Sequence, residues 1–297
     1  MPLRSFIRML RTPRARIISH MSADNATLIS LRTALMAGQR EEFSDLLDSD
    51  PSLVDSRPWG DEWDVTAVEA AATICVHHRP AAYDMVRMLL ERGADCSLQT
   101  AARGGQLDVV RGMLDTGDAK LNALDEQGRS ALYRAACVFG QFNEGQAVVD
   151  ELLDRGANVD LHSACTLGLF RKVQSLIEKD PASARLSSPE GMTALHWAMR
   201  VRRYVRHAAP ITSLILQQDV DVHAPNPTED DMQAIHHVAE WSGQPEQVQQ
   251  LIDHGANINA KARNGWSPLD YALDRGRKAI AECLESKGAK RSGERPE

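Results

Sequence analysis

Apolar positions along this chain fall into short helical stripes separated by polar turns. Val86 with Leu89-Leu90, Val149 with Leu152-Leu153, Val173 with Leu176-Ile177 and Val248 with Leu251-Ile252 all place apolar side chains at i, i+3 and i+4. That spacing lines one face of an amphipathic helix. Shorter, alanine-rich runs opened by Ser or Thr lie ahead of such stripes, as in Thr66-Ala67-Val68-Glu69-Ala70-Ala71 and Ser130-Ala131-Leu132-Tyr133-Arg134-Ala135-Ala136. The pattern predicts pairs of short helices, repeated along the chain.

The second stripe of each clear pair closes on Gly-Ala, as in Gly93-Ala94-Asp95, Gly156-Ala157-Asn158 and Gly255-Ala256-Asn257. The pairs beginning at Gly255 and Gly288 lie 33 residues apart. Each position has a physical reason. A Ser or Thr hydroxyl caps free backbone N–H groups, and Pro268 suits a first helical turn. Small Ala side chains let neighbouring helices approach closely. Gly ends the second helix in a left-handed conformation, and the Asn/Asp-rich stretch turns the chain into the next copy.

The openings Thr193-Ala194-Leu195-His196 and Ser267-Pro268-Leu269-Asp270, taken with these endings and this period, resemble the TPLHxA opening and LLxxGA ending of the ankyrin repeat. Further openings lie at Asp64-Val65-Thr66-Ala67, Gly128-Arg129-Ser130-Ala131 and Gln233-Ala234-Ile235-His236. Degenerate copies begin at Leu31, Leu98 and Leu161, the last two 63 residues apart in matching register. The resemblance implies an all-α ankyrin-repeat solenoid of about eight helix–turn–helix units, joined by short turns or β-hairpins. It divides the chain into a basic leader at 1–26, an array at 27–290 and a short tail at 291–297. Units two, four and six carry extra residues between their helices, at 76–80, 139–144 and 201–207.

Composition fits a protein of this kind: 43% hydrophobic and 25% charged residues, with aromatics at only 5%. The net charge is −7; the first twenty residues hold five arginines and no acid, so the remainder carries −12. A body this acidic disfavours nucleic acid, whose binding depends on cationic neutralisation of phosphates. Five scattered cysteines without CxxC spacing indicate neither a disulfide framework nor a zinc site, and suit a reducing, cytoplasmic setting. No stretch approaches a membrane span. The arginine-rich leader fits either a mitochondrial presequence or a flexible tail ahead of a start at Met21.

Candidate chemistry is sparse. His196 and His236 occupy the histidine of the ankyrin opening, which the resemblance assigns to stabilising the turn between units. The pairs His77-His78 and His236-His237 diverge by about 100° on a helix and make poor shared ligands. Glu229-Asp230-Asp231 reads as solvated loop charge, and no hydrolase or phosphate-loop motif occurs. No cofactor and no metal are expected. The candidate partner-binding residues are Arg202, Arg203, Tyr204 and Arg206, where arginine forks surround a tyrosine, together with Trp241 and Trp266. Trp197 reads equally as packing between units. The resemblance implies a monomeric, non-enzymatic scaffold that grips a protein partner through a concave face. The alternative is a regulatory, inhibitory or effector subunit acting on an enzyme partner.

Overall fold

The computed structural model describes residues 25–58, 65–74, 80–117, 119–138, 143–201, 205–241 and 243–292. The described residues form sixteen α-helices in eight consecutive pairs, with no extended strand. The first four pairs are α1 (Asn25–Ala37) with α2 (Arg40–Ser49), α3 (Ala67–Ile74) with α4 (Pro80–Glu91), α5 (Leu98–Arg103) with α6 (Leu107–Asp115), and α7 (Ala131–Val138) with α8 (Asn143–Asp154). The last four are α9 (Leu161–Leu167) with α10 (Phe170–Lys179), α11 (Ala194–Ala198) with α12 (Ala208–Leu216), α13 (Ala234–Glu240) with α14 (Pro245–Asp253), and α15 (Pro268–Asp274) with α16 (Lys278–Ser286). This is the all-α repeat architecture that the hydrophobic pattern predicts. The chain forms two compact bodies, which meet in sequence between Asn158 and Val159.

Within each body, first helices stack on first helices and second helices on second helices: α5 on α7 and α6 on α8 in one, α13 on α15 and α14 on α16 in the other. The alanines of the first helices fill these contacts. Ala70, Ala71, Ala101, Ala135, Ala164, Ala198, Ala239 and Ala272 are fully buried. The apolar stripes of the second helices close the other side, with Leu89, Leu152, Val173, Ile215 and Leu251 buried. Helices of five to thirteen residues are too short to be stable alone, so these units hold through their neighbours.

The openings work as their residue types dictate. The Ser267 N–H donates to Asp270 Oδ2 at 2.9 Å while Ser267 Oγ accepts from the Asp270 N–H at 3.3 Å. Thr66 and Glu69 exchange the same pair of bonds. These are reciprocal capping boxes, which satisfy otherwise free donors of the first turn. Histidine at the same position does more. His196 Nδ1 accepts from the Thr193 N–H, and its Nε2–H donates to the Met232 carbonyl at 3.2 Å. His236 likewise joins the Gln233 N–H to the Ala260 carbonyl at 3.0 Å. Each ring therefore caps its own helix and ties it to the next hairpin. The degenerate units keep that tie with a different residue: Gln99 donates to the Ala123 carbonyl and His162 to the Leu186 carbonyl.

Between pairs the chain makes narrow hairpins with single antiparallel bridges, Leu124 to Ser130, Ser187 to Thr193 and Asn226 to Met232. Second helices end on glycine in the left-handed region, with φ of +90° at Gly255 and +84° at Gly288. A β-carbon there would meet nothing within 4 Å, so conformation alone selects glycine. Residues 1–24 of the basic leader and the inserted segments at 76–79, 139–142 and 202–204 lie outside the described residues; the end of the third insertion, Val205–His207, forms one 3-10 turn.

Candidate interaction surface

The most distinctive polar arrangement lies at the carboxyl ends of α11, α13 and α15, where repeats six to eight stack. Arg200 follows α11 and is only 8% exposed. Its guanidinium lies 4.1 Å from the Trp241 ring centre and 5.4 Å from that of Trp197. One edge reaches Glu229 Oε1 at 3.3 Å and another faces the Met192 sulfur at 3.4 Å. A planar, weakly hydrated cation is the side chain best suited to such a slot between indoles.

Glu229 arrives there because its hairpin is long. In the hairpins at 125–129 and 188–192 the closing N–H to carbonyl bond spans four residues, as from Ser188 to Met192; here it runs from Asn226 to Met232. The added residues take left-handed backbone at Asp230 and Asp231, φ 52° at both. That fold-back leaves Glu229 4% exposed. The reading of Glu229-Asp230-Asp231 as solvated loop charge is therefore corrected at Glu229, which is a buried counter-ion. Asp231 pairs with Arg263 at 2.7 Å on the following hairpin, and the Asp230 carbonyl accepts from the Arg263 N–H.

His237 completes the buried group. Its Nε2 accepts from Asn226 Nδ2 at 3.2 Å, which leaves the proton on Nδ1, 3.6 Å from Glu229 Oε2. Its ring meets His196 edge-on at 5.1 Å. Burial pushes the His196 and His236 pKa values down to about 4, outweighing the carbonyls that accept from them, so both rings are neutral at physiological pH.

One repeat further on, Glu240 at the end of α13 pairs with Arg275 at the end of α15, 2.7 Å apart. Glu240 is buried, whereas Arg275 keeps about half of its side chain exposed (49%). Arg200, Trp241, Glu240 and Arg275 thus make a row across three stacked first helices, with Trp241 half-buried and Leu273 beside Arg275 in sequence 43% exposed. Such a row can grip a flat partner by charge-assisted hydrogen bonds and by apolar and stacking contact.

The candidate residues from sequence fall in different places. Arg202, Arg203 and Tyr204 lie outside the described residues. Arg206 is exposed; its Nε donates to His207 Nε2 at 3.3 Å, and His207 Nδ1–H donates to the Gly168 carbonyl at 2.8 Å. Trp241 belongs to the row. Trp266 is half-buried in a separate aromatic group, edge-on to Tyr271 at 5.1 Å, whose ring in turn meets His236 at 5.9 Å. Trp197 is 5% exposed and packs in the core, though one face meets Arg200. Arg200, Glu240 and Arg275 escaped the sequence reading, which took Glu229 for solvated loop charge. The available signal was the pair of residues added to the Glu229 hairpin, together with Arg200 and Glu240 each standing seven residues after their helix caps.

Among the described residues no three His, Cys, Asp or Glu side chains are grouped to hold a metal, and no helix is long and apolar enough to cross a membrane. Four described cysteines are free thiols. Burial first, and then the Asp95 charge, raise the Cys96 pKa to about 12, so this thiol behaves as an inert small hydrophobe.

Stacked helix pairs with a row of side chains along one edge define a helical repeat protein whose usable feature is a face. Residues 203–292 match the family model for ankyrin repeats (3 copies), which supports an ankyrin-repeat protein. Ankyrin repeats are generally protein–protein interaction modules and typically non-enzymatic.

Proposed function

We propose that this protein is a non-enzymatic scaffold that binds a partner protein through the first-helix and hairpin side of its array, which in our reading spans 27–290. The observation that carries this is the row Arg200–Trp241–Glu240–Arg275, a continuous line of aromatic and charged groups across three repeats. Aromatic and arginine side chains supply most of the binding energy in protein interfaces. Arg206, Trp266 and the 202–204 segment are further contact residues in this reading.

The test is affinity capture with cross-linking, comparing the wild-type chain with R275E and W241A. Both variants are expected to keep the wild-type far-UV spectrum and lose the captured partner. Charge reversal at Arg206 checks the neighbouring insertion. Recovery of the same partner in equal amount by all three variants would remove the row from the interface.

A further inference from the structure

We propose that Arg134 is an anion-recognition site within residues 25–158, and that its ligand is a carboxylate side chain from an acidic segment of a partner protein. The proposal rests on the reading of the array as a protein-binding surface and deepens it by naming the partner's chemistry.

Arg134 lies on α7 and Arg103 ends α5, the first helix stacked against it. Arg134 is 7% exposed and Arg103 8%. The Arg134 Nε is sealed from solvent without a hydrogen-bond partner. A guanidinium carries five N–H donors and cannot shed its charge as a lysine can. Leaving such a group buried and unmatched is strongly unfavourable.

The surroundings deepen the imbalance. Burial, and after it the charges of Arg103 and Arg129, push the Arg134 pKa down to about 9. The carboxylate whose field reaches it, Asp125, is already committed. Asp125 Oδ2 accepts from Arg129 Nε at 2.8 Å, and its Oδ1 from the N–H groups of Gln127 and Arg129 at 3.0 and 2.9 Å.

The chain itself shows how a buried arginine is otherwise matched. Arg200 is buried to the same degree, yet it has Glu229, a methionine sulfur and two indoles around it. Among the described residues no acceptor meets the Arg134 Nε, and the ligand supplies the missing one. A planar fork favours a carboxylate, which it can hold by two parallel bonds. The chain as a whole, at net −7, opposes a polyanionic strand but tolerates a single acidic side chain inserted at a local cationic point.

The experiment uses the full chain and a fluorescein-labelled hexaglutamate peptide followed by anisotropy at low salt, with hexalysine and phosphoserine peptides in parallel. Losing one charge-assisted fork should weaken hexaglutamate binding roughly tenfold in R134M. R134K, which keeps the charge but not the fork, should weaken it by several-fold. R87Q, which removes an exposed cation on α4, should leave binding unchanged. Free R134M should melt at or above the wild-type temperature, because an unmatched charge has left the interior. The proposal is overturned if the wild type does not bind hexaglutamate, if R134M and R134K bind it as the wild type does, or if the phosphoserine peptide binds more tightly. Capture by the R275E and W241A variants reports on the separate row in 159–292, so either reading can fail while the other stands.

Discussion

Lowering the pH from 7 to 5 should destabilise the 159–292 body through two buried histidines. His196 and His236 are each held neutral, with Nδ1 accepting from a cap N–H and Nε2–H donating to the next hairpin. Protonation would place a second proton on Nδ1, facing the Thr193 or Gln233 N–H, inside a core with little water. Folding lowers both pKa values from 6.5 to about 4. A lowered histidine pKa means that folding favours the neutral ring. This stability is therefore complete above about pH 6.5 and drains away as the pH falls toward 4. At 1.36 kcal/mol per pH unit, the 1.5 units between 6.5 and 5 remove about 2 kcal/mol per ring, or about 4 kcal/mol together. Domains of ordinary stability hold only about 5–15 kcal/mol.

The assay is urea unfolding followed by far-UV circular dichroism at pH 7.5, 6 and 5. Glutamine at the same position can still close the capping box but does not titrate, so H196Q and H236Q should each flatten the pH dependence by about half. His237 packs against the His196 ring, so H236Q, which leaves that contact in place, is the cleaner of the two comparisons. Glu151 and Asp270 do not interfere, because their carboxyls are held below the ordinary range and titrate at lower pH. Glu151 is lowered by the Arg155 and Arg111 bonds; at Asp270 burial raises the pKa, but hydrogen bonds from Ser267 and Ser292 outweigh it. A wild-type loss below about 1 kcal/mol between pH 7.5 and 5, or an unchanged slope in the double glutamine variant, would refute the reasoning.

Three further outcomes can be checked by denaturant or thermal unfolding. E229A strands Arg200 in the interior and should cost about 3–5 kcal/mol, whereas the double variant R200M/E229M should recover much of that loss, since the unmatched charge is gone. G243A places a methyl against Val238 Cγ2 and 2.6 Å from its carbonyl oxygen, so it should destabilise far more than G255A, where only the left-handed backbone costs about 1–2 kcal/mol. S267A removes the cap that bonds the Asp270 N–H and should cost about 1 kcal/mol, mostly through fraying of α15.

Much of this molecule was legible in its sequence because its determinants are local. Ser267 with Asp270, Gly255 and Gly288, and the apolar stripes at Val149 and Val248 each act within one helix or turn, and a repeated local code adds up to a repeated fold. The histidines were legible for the same reason: His196 and His236 sit three residues from the caps they serve. The row at the ends of the first helices was only half visible. Trp241 stands out by residue type, but Arg200 and Glu229 are 29 residues apart and meet only because a lengthened hairpin folds back with left-handed backbone at Asp230 and Asp231. Arg134 reads as an ordinary helix residue until α5 and α7 stack and bury it. Periodicity settles which faces turn inward, since burial of apolar area dominates and recurs at fixed spacing. Which charges are matched inside is set by tertiary packing, because that depends on pairs of side chains distant in the chain and on loop lengths that no local pattern records.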